Sequence, residues 1–164
     1  LSKKQRQFHV TFIRSHRATA SIERKEKVSR LRVGQINELA DEAVKALAAG
    51  GTETFPLVDG RVVGVLATPD NSTSERMAMG ISALPPNHST AEHQHEAEEF
   101  AIILSGSGTI TIDNEQVRVT PGTVVVTPPN TNHVTTSDVD SQLTILWVYG
   151  PAGSEQRWLT ERED

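Results

Sequence analysis

From residue 61 onward the chain is a succession of short apolar runs broken by turn residues: RVVGVLATP, ERMAMGISALPP, EFAIILSG, GTITID, EQVRVTPG, TVVVTPPN, NHVTTS and SQLTILWVYG. Each run is strand-sized, rich in Val, Ile and Thr, and bounded by Gly, Pro, Asn or Asp. DNE at 113–115 occupies the place of a hairpin turn between TIT and QVRV. Strands recurring roughly every 8–12 residues without intervening helices predict an all-β sandwich or barrel. No internal repeat is apparent, so one barrel is expected. The polar, turn-rich PDNSTSE at 69–75 is the expected mobile loop.

Upstream the period changes. In INELADEAVKALAAGG, Ile36, Leu39, Ala40, Ala43, Val44 and Leu47 recur at helical spacing, and Gly50 and Gly51 supply a stop. Glu38, Asp41, Glu42 and Lys45 take the opposite face, so an amphipathic helix lying on the core is expected. Further upstream, RQFHVTFIRS alternates Phe8, Val10 and Phe12 like a strand that must pair with its own sheet or with a second subunit.

Charge divides the chain at the same place. Residues 1–32 carry ten Lys or Arg against Glu23 and Glu26, a balance of +8, whereas residues 33–164 carry −13. We therefore expect a basic N-terminal arm over 1–32, either a leader remnant or a strand lying on an acidic body, and one domain over 33–164. The arm has no repeated basic motif or interleaved aromatics, so nucleic-acid binding is not expected, and His9 and His16 within it are assigned nothing. No secretory signal is expected, because no apolar stretch follows the basic residues. No apolar run approaches the roughly 18 residues that span a bilayer. The chain has no cysteine, which removes disulfides, thiolate metal sites and cysteine nucleophiles and suits a cytoplasmic location. Any metal here takes imidazole and carboxylate ligands, which suits Fe, Mn, Ni, Co or Zn.

AEHQHEAEEF crowds such ligands together. His93 and His95 share one face of a strand, and Glu99, an even number of residues on, shares it too, whereas Glu96 and Glu98 face outward. Glu98 competes with Glu99 only through a bulge. His133, opening another strand after a Pro-rich turn, can complete the set, while His88 fits a solvent-exposed loop. The spacing of His93, His95, Glu99 and Gly106 resembles the first conserved motif of the cupin superfamily, and Gly122, Pro128, Asn130 and His133 resemble its second. Asn87 and Asn130 stand where the family usually has glycine, and asparagine tolerates the positive φ those turns require. Ser137 stands where an asparagine often closes the second motif.

The resemblance covers residues 76–149. It implies a double-stranded β-helix, or jelly-roll barrel, preceded by the amphipathic helix, one divalent transition metal held by His93, His95, Glu99 and His133, and no organic cofactor. Together with the strand-like FHVTF it also implies a homodimer. Its members include dioxygenases, isomerases, lyases, decarboxylases and non-catalytic sensors, so no catalytic residue is assigned beyond the metal. Along ERMAMGIS either Arg76, Ala78 and Gly80 or Met77, Met79 and Ile81 face inward. The methionine set is the better core filler, and Arg76, if inward, would clamp a substrate anion. Trp147 and Tyr149 share a face with Leu143 and Ile145 and are candidate pocket residues. Arg118, the one Lys or Arg between 77 and 149, is expected to be solvated or paired with Glu115. An apolar pocket around the metal favours a small organic substrate, with dioxygenase chemistry slightly ahead of lyase or isomerase chemistry and of ligand sensing without turnover.

Overall fold

The computed structural model describes residues 34–160. The basic arm, its strand-like Phe8–Phe12 segment, His9 and His16 lie outside the described residues. Helix α1 spans Ile36–Ala48. Its apolar stripe buries Ala43 and Ala46 against Phe55, Val62, Ile81 and Ala83. The helix ends because Gly50 takes φ +77° and Gly51 φ +103°. There Gly51 N–H donates to the Ala46 carbonyl (2.8 Å) and Gly50 N–H to that of Leu47 (3.2 Å). These two bonds satisfy carbonyls that the helix leaves open.

Among the described residues nine strands follow: β1 (Leu57–Val58), β2 (Arg61–Ala67), β3 (Ala78–Leu84), β4 (Glu98–Ser105), β5 (Gly108–Ile112), β6 (Glu115–Val119), β7 (Val124–Thr127), β8 (His133–Ser137) and β9 (Leu143–Gly150). They form a six-stranded sheet in the order β1-β2-β3-β9-β4-β7 and a three-stranded sheet in the order β6-β5-β8. All pairings are antiparallel. Ile110 and Val119 of the small sheet pack with Leu84, Ala101, Ile103, Leu143 and Ile145 of the large one, so the sheets close on a shared core. The architecture is an all-β jelly roll with one preceding helix. A short helix, α2 (Gln156–Thr160), follows β9 and seats Trp158 in a second cluster with Val63, Val65, Trp147 and Tyr149. Among the described residues no helix is long and apolar enough to cross a membrane.

The turns form as their residues require. Asn87, Asp113 and Asn130 all adopt positive φ, between 50° and 57°, a region in which a short polar side chain is tolerated. Gly106 admits no substitute, since a Cβ there would lie 1.7 Å from the Gln142 carbonyl oxygen at φ +78°. The loop after β2 is internally tied rather than open. Thr68 N–H donates to Asn71 Oδ1 (2.8 Å) and the Ser72 hydroxyl to the Thr68 carbonyl (2.6 Å).

Two expectations are corrected by strand register. The face of β3 that meets the barrel interior carries Ala78, Gly80, Ser82 and Leu84, while Ile81 and Ala83 face α1. Gly80 lies opposite Trp147 across the β3–β9 ladder, and the indole fills the space that a side chain at 80 would take. Arg118 pairs with Asp138, through both guanidinium nitrogens, and not with Glu115.

Candidate metal centre

Two backbone devices bring distant residues to one point. The segment before β4 runs along β8, where His93 and His133 form an isolated antiparallel bridge. Their backbones exchange both bonds: His93 N–H to the His133 carbonyl at 3.2 Å, and the reverse at 2.9 Å. Such a pair sets its two side chains next to each other. The Asn130 turn, by donating its N–H to the His95 carbonyl at 2.8 Å, ties His95 to the same place. Strand β4 begins only at Glu98, so His93 and His95 converge from a loop and not along a continuous strand. Glu99 sits opposite Tyr149 in the β4–β9 ladder, on the inward face that continues to Ala101 and Ile103.

Among the described residues, His93, His95 and His133 form a group whose ligand atoms all lie within 4.8 Å of one another. Their ring orientation is set by the backbone. Nδ1 of His93 faces the Ala91 carbonyl at 2.9 Å, Nδ1 of His95 faces that of Ala97 at 2.8 Å, and Nδ1 of His133 faces that of Thr131 at 2.9 Å. A carbonyl can only accept, so each Nδ1 carries its proton, and in the neutral ring each Nε2 keeps a lone pair. Those of His95 and His133 face Glu99 Oε2 at 3.0 and 3.3 Å. Two ligand atoms bound at right angles to one ion, each about 2.1 Å from it, stand roughly 3 Å apart. The donor set therefore fits a divalent metal: lone pairs face a carboxylate, and only a cation or a proton makes that arrangement favourable.

Burial pulls the His133 pKa down, but hydrogen bonding to Glu99 and to the Thr131 carbonyl, together with the Glu99 charge, outweighs it and leaves the imidazole raised. Burial pushes Glu99 up, and its bonds to His133 and His95 outweigh that, holding the carboxyl at about 2. His93 has no such partner, and burial lowers it to about 4. Tyr149 is raised, first by burial and then by the Glu99 charge, so its phenol stays neutral.

The centre opens into a cavity of about 50 Å³. Trp147 and Tyr149 line it, their rings stacked at 4.8 Å. The Tyr149 ring also lies 4.8 Å from that of His95, and Trp147 Nε1–H donates to Ser82 Oγ at 3.1 Å. Arg76, Met77 and Met79 are not among the lining residues. Arg76 is exposed, Met77 is 43% exposed, and Met79 falls on the parity of β3 that turns away from the interior. His88 lies outside the cavity under Gly60, with Nε2 buried.

Arg61, Ser82, Thr90, Thr135 and Trp158 also line the cavity, and the sequence did not point to them. Arg61 is 6% exposed and shares its strand parity with Val63 and Val65. The one signal for it was a cation opening a run whose two faces are both buried, the inner on the barrel and the outer on α1 and Phe55. Trp158 sits on a five-residue helix, too short to show a period.

A model of the cupin domain matches residues 80–149. Dimethylsulfoniopropionate lyase DddW of Ruegeria pomeroyi is 31% identical over 118 residues, covering 70% of this chain and 72% of that protein. An uncharacterized protein of Methanocaldococcus jannaschii is 32% identical over 76 residues, which cover 46% of this chain and 61% of the relative's length. Among solved structures, an RmlC-like cupin of Shewanella frigidimarina superposes with a TM-score of 0.55 at 14% identity, over 64% of this chain and 88% of that one.

Proposed function

The chain belongs to the cupin superfamily, and on that premise we propose that it is a metal-dependent lyase acting on a small carboxylic acid. His93, His95, His133 and Glu99 hold one divalent transition metal. The observation that carries the lyase reading is the 31% identity over 118 residues to a protein named as a lyase, applied to a site of three inward Nε2 atoms beside a carboxylate. Bound there, the metal supplies a Lewis acid that draws negative charge from a substrate oxygen.

The chain's own groups do the rest. Trp147, Tyr149 and Ile145 wall the cavity and limit water beside the reacting carbon. Among the described residues Glu99 is the only carboxylate lining the cavity, and with its pKa held at about 2 it is ionised at neutral pH. Released from its ligand position as the substrate binds, it takes the proton from the carbon next to the substrate carboxyl. The electron pair of that C–H bond becomes the C=C bond, and the leaving group departs with the pair of its own bond to the β-carbon. Oxygen is not consumed.

Dioxygenase chemistry would use the same ligands, and one experiment separates the two. Protein purified without chelator is incubated with propanoates and succinates bearing a β-leaving group, while ultraviolet absorbance of the unsaturated acid and dissolved oxygen are followed together. Unsaturated acid with constant oxygen is the expected result. Oxygen uptake without elimination would overturn the lyase reading in favour of the oxygenase.

A further inference from the structure

Three aliphatic hydroxyls line the cavity beside the imidazole group: those of Ser82, Thr90 and Thr135. Two of them accept a bond that they cannot return. Trp147 Nε1–H donates to Ser82 Oγ at 3.1 Å, and Thr135 N–H donates to Thr90 Oγ1 at 3.1 Å. An indole N–H and a backbone N–H only donate, so each hydroxyl keeps its own proton to give. Among the described residues neither proton has an acceptor, and the Thr135 hydroxyl has no partner of either kind. Ser82 is 9% exposed, and Leu84, Ile145 and Trp147 in the same wall accept nothing. Thr135 follows His133 by two residues on β8, so the two share the inward face and stand roughly 7 Å apart. Thr90 is held beside Thr135 by a second bond, its N–H donating to the Thr135 carbonyl at 2.9 Å. Ser82 arrives from β3, in the other sheet.

We propose that Ser82, Thr90 and Thr135 form the subsite for the far end of the substrate, where they donate to an acceptor oxygen such as that of a ketone, ester or ether. The inference deepens the lyase reading and rests on it only for placing the substrate carboxylate at the imidazole end. A cavity of about 50 Å³ confines the ligand to a short acid, and the step along β8 matches the reach from its carboxylate to an oxygen a few carbons away. The polarity of the subsite follows from its bonds. An alkyl end would leave buried O–H donors without a partner, a loss that an acceptor oxygen removes. An ammonium end can only donate, and it would meet donors whose oxygens, at Ser82 and Thr90, are already engaged.

The test reads binding, not turnover. Trp147 and Trp158 are the only tryptophans of the chain and both line the cavity, so tryptophan emission reports its contents. Metal-loaded protein is titrated with laevulinate, isocaproate and γ-aminobutyrate, and calorimetry accompanies the emission. Laevulinate and isocaproate share a skeleton and a single negative charge, and differ in a ketone oxygen against a methyl group. None of the three carries a β-leaving group, so none is consumed. Laevulinate binds tightest. Thr135→Val keeps the shape of the side chain without its hydroxyl, and weakens laevulinate roughly 3- to 10-fold, the loss expected for one hydrogen bond. It leaves isocaproate unchanged and does not lower Tm, which a structural role for that hydroxyl would do, and Thr135→Ser restores laevulinate binding. Ser82→Ala weakens laevulinate by a similar factor and lowers Tm as well, because it strands the Trp147 N–H. Wild-type laevulinate affinity in both Thr135→Val and Ser82→Ala, or isocaproate or γ-aminobutyrate binding as tightly as laevulinate, overturns the inference. Should either variant fail to fold, the ranking of the three ligands by the wild-type protein decides the matter. Selective laevulinate binding without elimination from any β-substituted acid would sink the lyase reading alone, and elimination with isocaproate bound as tightly as laevulinate would sink this inference alone.

Discussion

Gly80→Ala would carry a small perturbation from the sheet to the metal centre. A Cβ at residue 80 would stand 2.2 Å from Trp147 Cζ2 and 2.3 Å from the Gly64 carbonyl oxygen, over 1 Å inside ordinary contact. The Gly64 backbone belongs to the β2–β3 ladder, so the indole must move. Trp147 is 3% exposed, tied to Ser82 through Nε1 and stacked on Tyr149, which in turn packs on His95. Overpacking of a filled core costs about 1–3 kcal/mol, and losing the indole hydrogen bond adds about 0.5–1.5 kcal/mol. For a chain of this size a total near 2–4 kcal/mol lowers Tm by about 5–15 °C. Thermal unfolding followed by circular dichroism and by tryptophan emission measures it, and metal content measured alongside should fall as the Tyr149–His95 contact shifts. A Gly80→Ala protein with wild-type Tm and emission would refute the packing argument.

In chelator-treated protein, His93 is held low, at about 4, so the unfolded chain takes up that proton first. Stability present above pH 6.5 is therefore lost as pH falls toward 4, and His93→Phe should flatten the fall of Tm across that window. Glu99, lowered to about 2, acts in the same sense below about pH 4.5. His133, being raised, acts oppositely: its contribution is complete below pH 6.5 and fades as pH rises through its folded pKa, so His133→Phe should remove that alkaline loss. Trp158→Ala removes a buried side chain from the cavity wall and should cost about 3–5 kcal/mol in urea unfolding; a change below 1 kcal/mol would mean α2 does not seat the indole in the core. Ser137→Ala deletes a buried hydroxyl that donates to the Pro85 carbonyl at 2.6 Å and accepts from His88 N–H at 3.0 Å. It should cost about 1–3 kcal/mol, read by the same urea titration.

What could be read before the structure depended on how local each feature is. Every long strand announced itself, because alternation and bounding turn residues lie within a few positions of one another, and the positive φ at Asn87 and Asn130 followed from the resemblance, which places glycine at those turns. The grouping of His93, His95 and His133 was legible because their spacing is carried by two short motifs. The inward face of β3 was not, because the choice between Met79 and Gly80 depends on what lies opposite, and Trp147 is 67 residues further along the chain. Arg118 found Asp138 instead of Glu115 for a similar reason: the small sheet folds β5 between β6 and β8. Arg61 escaped notice because β2 is buried on both faces, which erases the alternation that would have marked its inner side. Its partner Trp158 arrives from a short helix beyond the last strand, and no local pattern joins the two.

In the proposed site, three imidazoles with protonated Nδ1 atoms, together with Glu99, hold a metal ion. Elemental analysis of protein purified without chelator, compared with His133→Ala, tests it most directly, with circular dichroism to establish that both are folded. About one equivalent of a divalent transition metal per wild-type chain is expected, and less than about a tenth of that in the variant. Equal metal content in a folded His133→Ala protein, or a wild-type chain that takes up no transition metal when supplied with it, would mean that these residues do not form a metal site.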